Sequence, residues 1–328
     1  MKMQYSFYKM SVLCGLFGKS RQAYYEREHY VSKQHLEEEI LLCFVNDIRK
    51  DFPRMGCKKL LIFLQNRLQQ ADIKIGRDAF FGLLKRNQLL VKRRRSSCRT
   101  TYSDHWMRKY PNLVRDFVPS APNQLWVSDI TYVDSKDKPL YLSLITDAYS
   151  RKIVGWNLSP TLAAIHTVNA LKMGLRTLPA NHSGLIHHSD RGVQYCCNEY
   201  VKELSKHRVL ISMTESGDPL ENALAERVNG ILKTEWLNKF SKQTPKELLA
   251  SVNKVIMLYN EKRPHQSISY QTPSDVHAKG LLVERKWKNY YPMKEKRETS
   301  LNFASQPKQN SQAISGIEVS NFEDVKLF

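Results

Sequence analysis

The sequence predicts an α/β domain built on a mixed five-stranded sheet and preceded by an all-helical region. Three observations carry this. Up to residue 91, apolar residues recur at helical spacing, with Gly and Pro falling mostly between the runs. From residue 124 the pattern changes to short strand-like runs bounded by polar turns. The segments then follow the order β-β-β-α-β-α-β-α, which calls for a sheet with helices on its faces. With 328 residues, 41% of them hydrophobic, the chain can bury two or three such units.

In the helical region, a short helix over 11–17 and a second starting at Arg21 flank the turn Gly18-Lys19, with Ser20 as N-cap. Arg21, Gln22, Tyr24, Tyr25 and Arg27 then sit at helix-turn-helix spacing, although an ordinary helical hairpin reads equally well. A helix is expected over 36–51, with Leu36, Ile40, Leu41, Phe44, Val45 and Ile48 inward, and others over 58–68 and 77–87. The run Lys92-Arg93-Arg94-Arg95 follows, suited to clamping DNA phosphates or to a solvated connection. Residues 1–95 thus read as a DNA-binding region and 96–121, with Pro111 and Pro119, as a linker.

In the α/β domain, 122–280, strands are expected over 125–133, 140–147, 152–158, 185–188 and 210–213. Helices over 162–178 and 198–207 connect them, and helices over 219–240 and 246–259 follow. This order matches a ribonuclease-H-like fold. The helix over 219–240 has a readable start, with Asp218 as N-cap, Pro219 at N1 and Glu221 three residues beyond the cap. Asn222, Glu226, Asn229 and Lys233 share one of its faces, and Leu220, Ala223, Leu224, Val228 and Ile231 another. Residues 281–328 turn basic and aromatic, with Trp287, Tyr290 and Tyr291, and then polar, as a partly disordered tail does.

Fifty-one basic residues against thirty-two acidic ones give a net charge of +19, which favours a polyanion partner over a merely basic soluble protein. The six cysteines show no C-x-x-C spacing, which fits reduced thiols in a cytoplasmic protein. No apolar run approaches the ~18 residues that span a bilayer, and the N-terminus lacks a small-residue cleavage site, so export is not expected.

Three carboxylates stand out. Asp129 interrupts an apolar strand run, Asp190 closes the strand-like Leu185-Ile186-His187-His188-Ser189, and Glu226 lies on the polar helix face. A charge inside a strand pattern breaks a local rule, and such breaks concentrate at functional sites. Sixty residues separate Asp129 from Asp190 and thirty-five separate Asp190 from Glu226. Oxygen donors of this kind suit Mg²⁺ or Mn²⁺, and a pair of such ions drives phosphoryl transfer on DNA. His187 and His188 read better as a strand-edge pair shaping the loop before Asp190 than as ligands.

The motifs Trp126-Val127-Ser128-Asp129-Ile130-Thr131-Tyr132, His188-Ser189-Asp190-Arg191-Gly192-Val193-Gln194-Tyr195 and Glu221-Asn222-Ala223-Leu224-Ala225-Glu226 carry a resemblance. So do Tyr259-Asn260, Arg263-Pro264-His265 and Thr272-Pro273. The chain resembles the second-frame (ORF-B) transposases of the IS-three type of bacterial insertion sequences, within the DDE transposase and retroviral-integrase superfamily. That resemblance implies an integrase catalytic core in which Asp129, Asp190 and Glu226 bind two Mg²⁺ (or Mn²⁺) ions. It implies cleavage at the element ends and strand transfer by the released 3′-OH, with Lys233, Arg263 and His265 at the DNA. The expected partners are terminal inverted repeats, target DNA, further copies of the chain and an upstream ORF-A product, fused or separate. The expected location is the nucleoid. A catalytically silent DNA-binding relative and a structure-specific nuclease of the same fold are the alternatives.

Overall fold

A computed structural model describes residues 7–91, 106–180, 182–215 and 222–281. The basic run Lys92, Arg93, Arg94 and Arg95, the helix start at Asp218 to Glu221, and the aromatic and polar tail lie outside these.

The chain begins with α1 (Met10–Leu16) and α2 (Arg21–Asp51). Ser20 caps α2 as expected, its Oγ accepting from the Ala23 N–H at 3.0 Å. Two helices were expected between residues 21 and 51, and the structure has one of 31 residues. No Gly or Pro lies between Arg21 and Pro53, so nothing local stops the first helix before the second begins. Only its C-terminal half is anchored, through Leu41, Val45 and Ile48, whereas Leu36 is exposed. Helices α3 (Cys57–Gln70) and α4 (Arg77–Arg86) bury Leu60, Leu64 and Leu68, and Phe80, Leu83 and Leu84, on that half. Arg49 ties the group together by donating to the carbonyls of Pro53, Met55 and Leu89.

The sheet has the strand order β3-β2-β1-β4-β5. Strands β1 (Leu125–Val133), β2 (Leu140–Asp147) and β3 (Ile153–Ser159) form an antiparallel meander. The crossover through α5 (Ala164–Leu175) brings β4 (Ile186–Ser189) parallel to β1. A second crossover, through α6 (Val193–Cys196) and α7 (Asn198–Lys206), adds β5 (Leu210–Met213) parallel to β4. This is the mixed five-stranded sheet with flanking helices that the sequence predicts. Much of the expected linker lies outside the described residues, but its later part is laid against β5. Pro111 accepts from the Met213 N–H, and the Leu113 N–H donates to Ser212 Oγ. An edge strand otherwise offers unpaired donors and acceptors, and this segment satisfies some of them.

Alternation along the strands sends side chains to two cores. Trp126, Ile145 and Val154 pack with α5, α6 and α7. Gly155 lets β3 approach α5, since a Cβ there would fall 2.2 Å from the Ala170 carbonyl oxygen. On the other face Val133, Leu140, Leu142, Leu144 and Ile153 pack with α8 (Ala223–Glu235) and α9 (Pro245–Glu261). That second core does not stop at the domain. It runs on without a break into Leu41, Val45, Phe52, Leu60, Leu64 and Phe80 of the helical region.

Helix α9 starts on a capping box of Thr244 and Glu247 with Pro245 at N1. A last helix, α10 (Pro273–Lys279), is capped by Thr272. Among the described residues no helix is long and apolar enough to cross a membrane.

Candidate active site

Parallel pairing of β1 with β4 builds the site. The register sets Val127 opposite His188, and two residues further along each strand come Asp129 and Asp190. One carboxylate is therefore within a strand and the other on the first residue past its neighbour. Asp129 pairs across β1 and β2 with Leu144, so it points to the sheet face that α8 covers.

Each carboxylate is held by donors. Asp129 Oδ1 accepts from the Ile130 N–H at 2.8 Å, and its Oδ2 accepts from Asn229 Nδ2 at 2.7 Å. Asp190 Oδ1 accepts from the Gly192 N–H at 2.9 Å. A Cβ on residue 192 would stand 3.0 Å from that oxygen, which favours glycine there. Asp129 and Asp190 line one cleft of about 90 Å³, walled by Tyr132, Tyr141, Leu162 and Gln194.

Glu226 stands at the rim of this arrangement. It lies in the first turn of α8 and is exposed, and partial burial raises its pKa. Among the described residues no three His, Cys, Asp or Glu side chains stand close enough to cage a metal ion. The structure thus brings two of the three expected carboxylates together and sets the third beside them.

The electrostatics show two carboxylates in conflict. Burial, followed by the nearby Asp190 charge, pushes the Asp129 carboxyl up to about 7, with a smaller push from Glu226. Its hydrogen bonds from Ile130 and Asn229 oppose the rise and do not cancel it. An all-oxygen donor set whose members repel one another fits a divalent cation, which would relieve that repulsion.

A pH dependence follows from this shift. An unfolded aspartate releases its proton near the model value of 3.8, and folded Asp129 holds it to about 7. Without divalent ions, stability therefore falls as pH rises from about 4 to 7, by up to ~4 kcal/mol, and the penalty is full above 7. Thermal melts in EDTA at pH 5 and pH 8 should show the loss, and Mg²⁺ should recover far more at pH 8 than at pH 5. Equal Mg²⁺ responses at the two pH values would speak against a divalent cation between Asp129 and Asp190.

Two residues without an assigned role prove central. Asn229 shares the Glu226 face three residues on and holds Asp129, while Asn222 donates through Nδ2 to the Ser128 carbonyl at 3.1 Å. Both are buried and fasten α8 to β1. The only signal was their position on that polar face, and a buried asparagine there looks like a solvated one in sequence. Lys233 falls two turns beyond Glu226 and is half-buried.

Arg263 and His265 require correction. Both were expected at the DNA, and both are buried, at 1% and 5% exposure. Arg263 donates from Nε and Nη2 to the two Glu235 oxygens at 2.8 and 2.6 Å, and its Nη1 lies 2.8 Å from His265 Nε2. A guanidinium spent on an interior carboxylate is not available to a phosphate. His187 and His188 are also interior, on a strand flanked on both sides rather than at an edge. His187 Nε2 meets the Tyr200 hydroxyl at 2.9 Å, and burial pulls its pKa down to about 3, so it is neutral. Burial pushes the Cys196 thiol up to about 11, which makes it unreactive.

Comparison with known proteins agrees with this architecture. Residues 119–219 match the integrase core domain family, and residues 207–273 match a second integrase core domain model. A 31 kDa protein of insertion element IS600 from Shigella sonnei is 33% identical over 270 residues, covering 80% of this chain and 96% of that protein. The transposase InsF for insertion sequence IS3 of Escherichia coli O111:H- is 29% identical over 286 residues, covering 84% and 96%. Among solved structures, the HTLV-2 integrase catalytic core in complex with magnesium aligns at 20% identity and a TM-score of 0.39. It covers 48% of this chain and 97% of that core.

Proposed function

The chain belongs to the IS3-type insertion-sequence transposases of the DDE integrase superfamily, and from that premise we propose that Asp129, Asp190 and Glu226 are its catalytic carboxylates. The observation that carries this reading is the Asp129–Asp190 cleft, where mutual repulsion calls for a cation. Two Mg²⁺ or Mn²⁺ ions held by the three side chains would activate the attacking oxygen and neutralise charge on the leaving one. The protein's own part is orientation. Asn229 and the Ile130 N–H fix both oxygens of Asp129, and the Gly192 N–H fixes Asp190. Fastening of α8 to β1 by Asn222 keeps Glu226 at the rim.

The substrate is DNA at the ends of the element. Hydrolysis there frees a 3′-OH, which then attacks a second phosphodiester, exchanging one P–O bond for another with no covalent enzyme intermediate. The net charge of +19 favours this polyanion. Assembly of several copies on paired ends, and cooperation with an ORF-A product, complete the reading.

A strand-transfer assay tests it. The full chain, given Mg²⁺ and an oligonucleotide duplex carrying an element end, should yield joined products whose new bond begins at the end's 3′-OH. Cutting without joining would leave a nuclease, and neither would leave a DNA-binding relative.

Lys233 provides a further expectation. Two turns beyond Glu226, its ammonium is within reach of a backbone phosphate next to the one undergoing reaction. Lys233→Ala should weaken end-DNA binding and flatten the slope of log affinity against log salt by roughly one unit. Lys233→Arg should restore both. An unchanged slope with full strand transfer would leave Lys233 as an ordinary surface lysine.

A further inference from the structure

Glu235 closes α8, nine residues after Glu226. At 1.5 Å per residue and 3.6 residues per turn, the two carboxylates lie about 13 Å apart along the axis and about half a turn around it. Glu226 faces the site and Glu235 the opposite way, into the protein, where its side chain is largely buried.

Two cations converge on Glu235. Arg263, from the turn after α9, binds both oxygens and already satisfies them as a two-pronged pair. Lys59 of α3, 176 residues away in sequence, adds a second cation, with Nζ 3.4 Å from Glu235 Oε1. The cluster therefore holds one positive charge more than pairing requires. Burial, with the Arg263 charge next, pulls the Lys59 pKa down to about 8, so keeping that ammonium costs the fold. In some proteins a buried ion group adds little net stability and serves instead to specify an arrangement.

Other contacts join the same two parts of the chain. Trp236 Nε1, just past the end of α8, donates to the Asp51 carbonyl at 2.7 Å, and its ring lies 5.8 Å from that of Phe52. Lys254 of α9 pairs with the Asp51 carboxylate at 3.1 Å. The helical region thus grips one end of α8, and Glu226 rides on the other, short of a closed three-carboxylate cage.

We propose that the Lys59–Glu235–Arg263 cluster is a positioning device that sets where α8 carries Glu226 against Asp129 and Asp190, so that the seating of the helical region governs assembly of the metal site. This rests on the catalytic reading of those three carboxylates. Arg263 locks α8 to the turn after α9, and Lys59 reports whether α3 is in place. Glu235, Lys59 and Arg263 are positioning residues and touch no DNA.

The test uses the full chain and Lys59→Met, which removes the ammonium, keeps an unbranched side chain and leaves the Arg263–Glu235 pair intact. Melting is followed in EDTA and under Mg²⁺ titration, alongside end-DNA binding and cleavage at saturating DNA. Lys59→Met should melt no lower than wild type in EDTA and bind end DNA equally well. It should need at least ~5-fold more Mg²⁺ for half of the full stabilisation, and cleave at least ~5-fold more slowly. Lys59→Arg should restore both values. A purely structural cluster would lower the EDTA melting temperature and leave the Mg²⁺ midpoint and the saturated rate unmoved, which would overturn the inference. It would also fall if Lys59→Arg shifted as far as Lys59→Met, since shape and not charge would then matter. Should Lys59→Met fail to fold, Lys59→Gln takes its place with the same expected values. Asp129→Asn serves as the reference. If it responded to Mg²⁺ as wild type does, the catalytic reading itself would be wrong, whereas loss of its response with an unmoved Lys59→Met midpoint would sink this inference alone.

Discussion

Asp129→Asn should leave end-DNA binding intact and lower Mg²⁺-dependent cleavage and strand transfer by about a thousandfold or more. The magnitude follows from the several kcal/mol that metal stabilisation of a phosphoryl-transfer transition state supplies, at a factor of ten per ~1.4 kcal/mol. The substitution keeps the shape of the side chain. Its amide oxygen can still accept from Asn229 Nδ2, which now lies 2.7 Å from Asp129 Oδ2, at the loss of the bond from the Ile130 N–H. What is lost is the charge that makes a cation welcome. In EDTA at pH 8 the variant should melt higher than wild type, because the buried charge and its repulsion with Asp190, which together push Asp129 up to about 7, are gone. Gel-shift, single-turnover cleavage and melting curves on the same preparation separate these effects. Cleavage at the wild-type rate in Mg²⁺ would refute the assignment of Asp129.

Gly155→Ala should be the most damaging of the small substitutions. Its Cβ would fall 2.2 Å from the Ala170 carbonyl oxygen and 3.0 Å from the Gly174 nitrogen. Both are backbone atoms of α5, so no side chain can swing aside, and the helix must lift from β3. Overpacking a core commonly costs ~1–3 kcal/mol, and a clash with fixed backbone belongs at or beyond the top of that range. A fall in melting temperature on the order of 10 °C, or loss of soluble protein, is expected. A melting temperature within ~2 °C of wild type would mean that β3 and α5 are not packed as described.

Strands were the most legible part of the sequence. The limits of β1, β2 and β5 coincide with those expected, because polar turns bound runs of strand-forming residues. The Asp129 and Asp190 pair was legible for a related reason, since a carboxylate at a strand position stands out against its apolar neighbours. Contacts made across the fold were not legible. The Arg263 motif is polar in sequence and was assigned to DNA, and its partner Glu235 lies 28 residues back, at the end of α8. Asn229 looked like any polar residue on a helix face until α8 was laid on β1. The unbroken course of α2 went unread because amphipathicity begins only halfway along it, where α3 and α4 pack.

The apolar core that continues from the sheet into α2, α3 and α4 limits how this protein can be re-engineered or can diverge. A foreign helical region grafted ahead of residue 106 would have to match the sides of Trp236, Val252 and Ile256 that Phe52, Leu60 and their neighbours now complement. A chimera without that match would bare those side chains and aggregate. Changes in α3 should accordingly be answered by changes in α8 and α9. The parts of this protein that would choose a sequence and the parts that would cut it are then coupled in descent, inherited as a matched set rather than exchanged like modules.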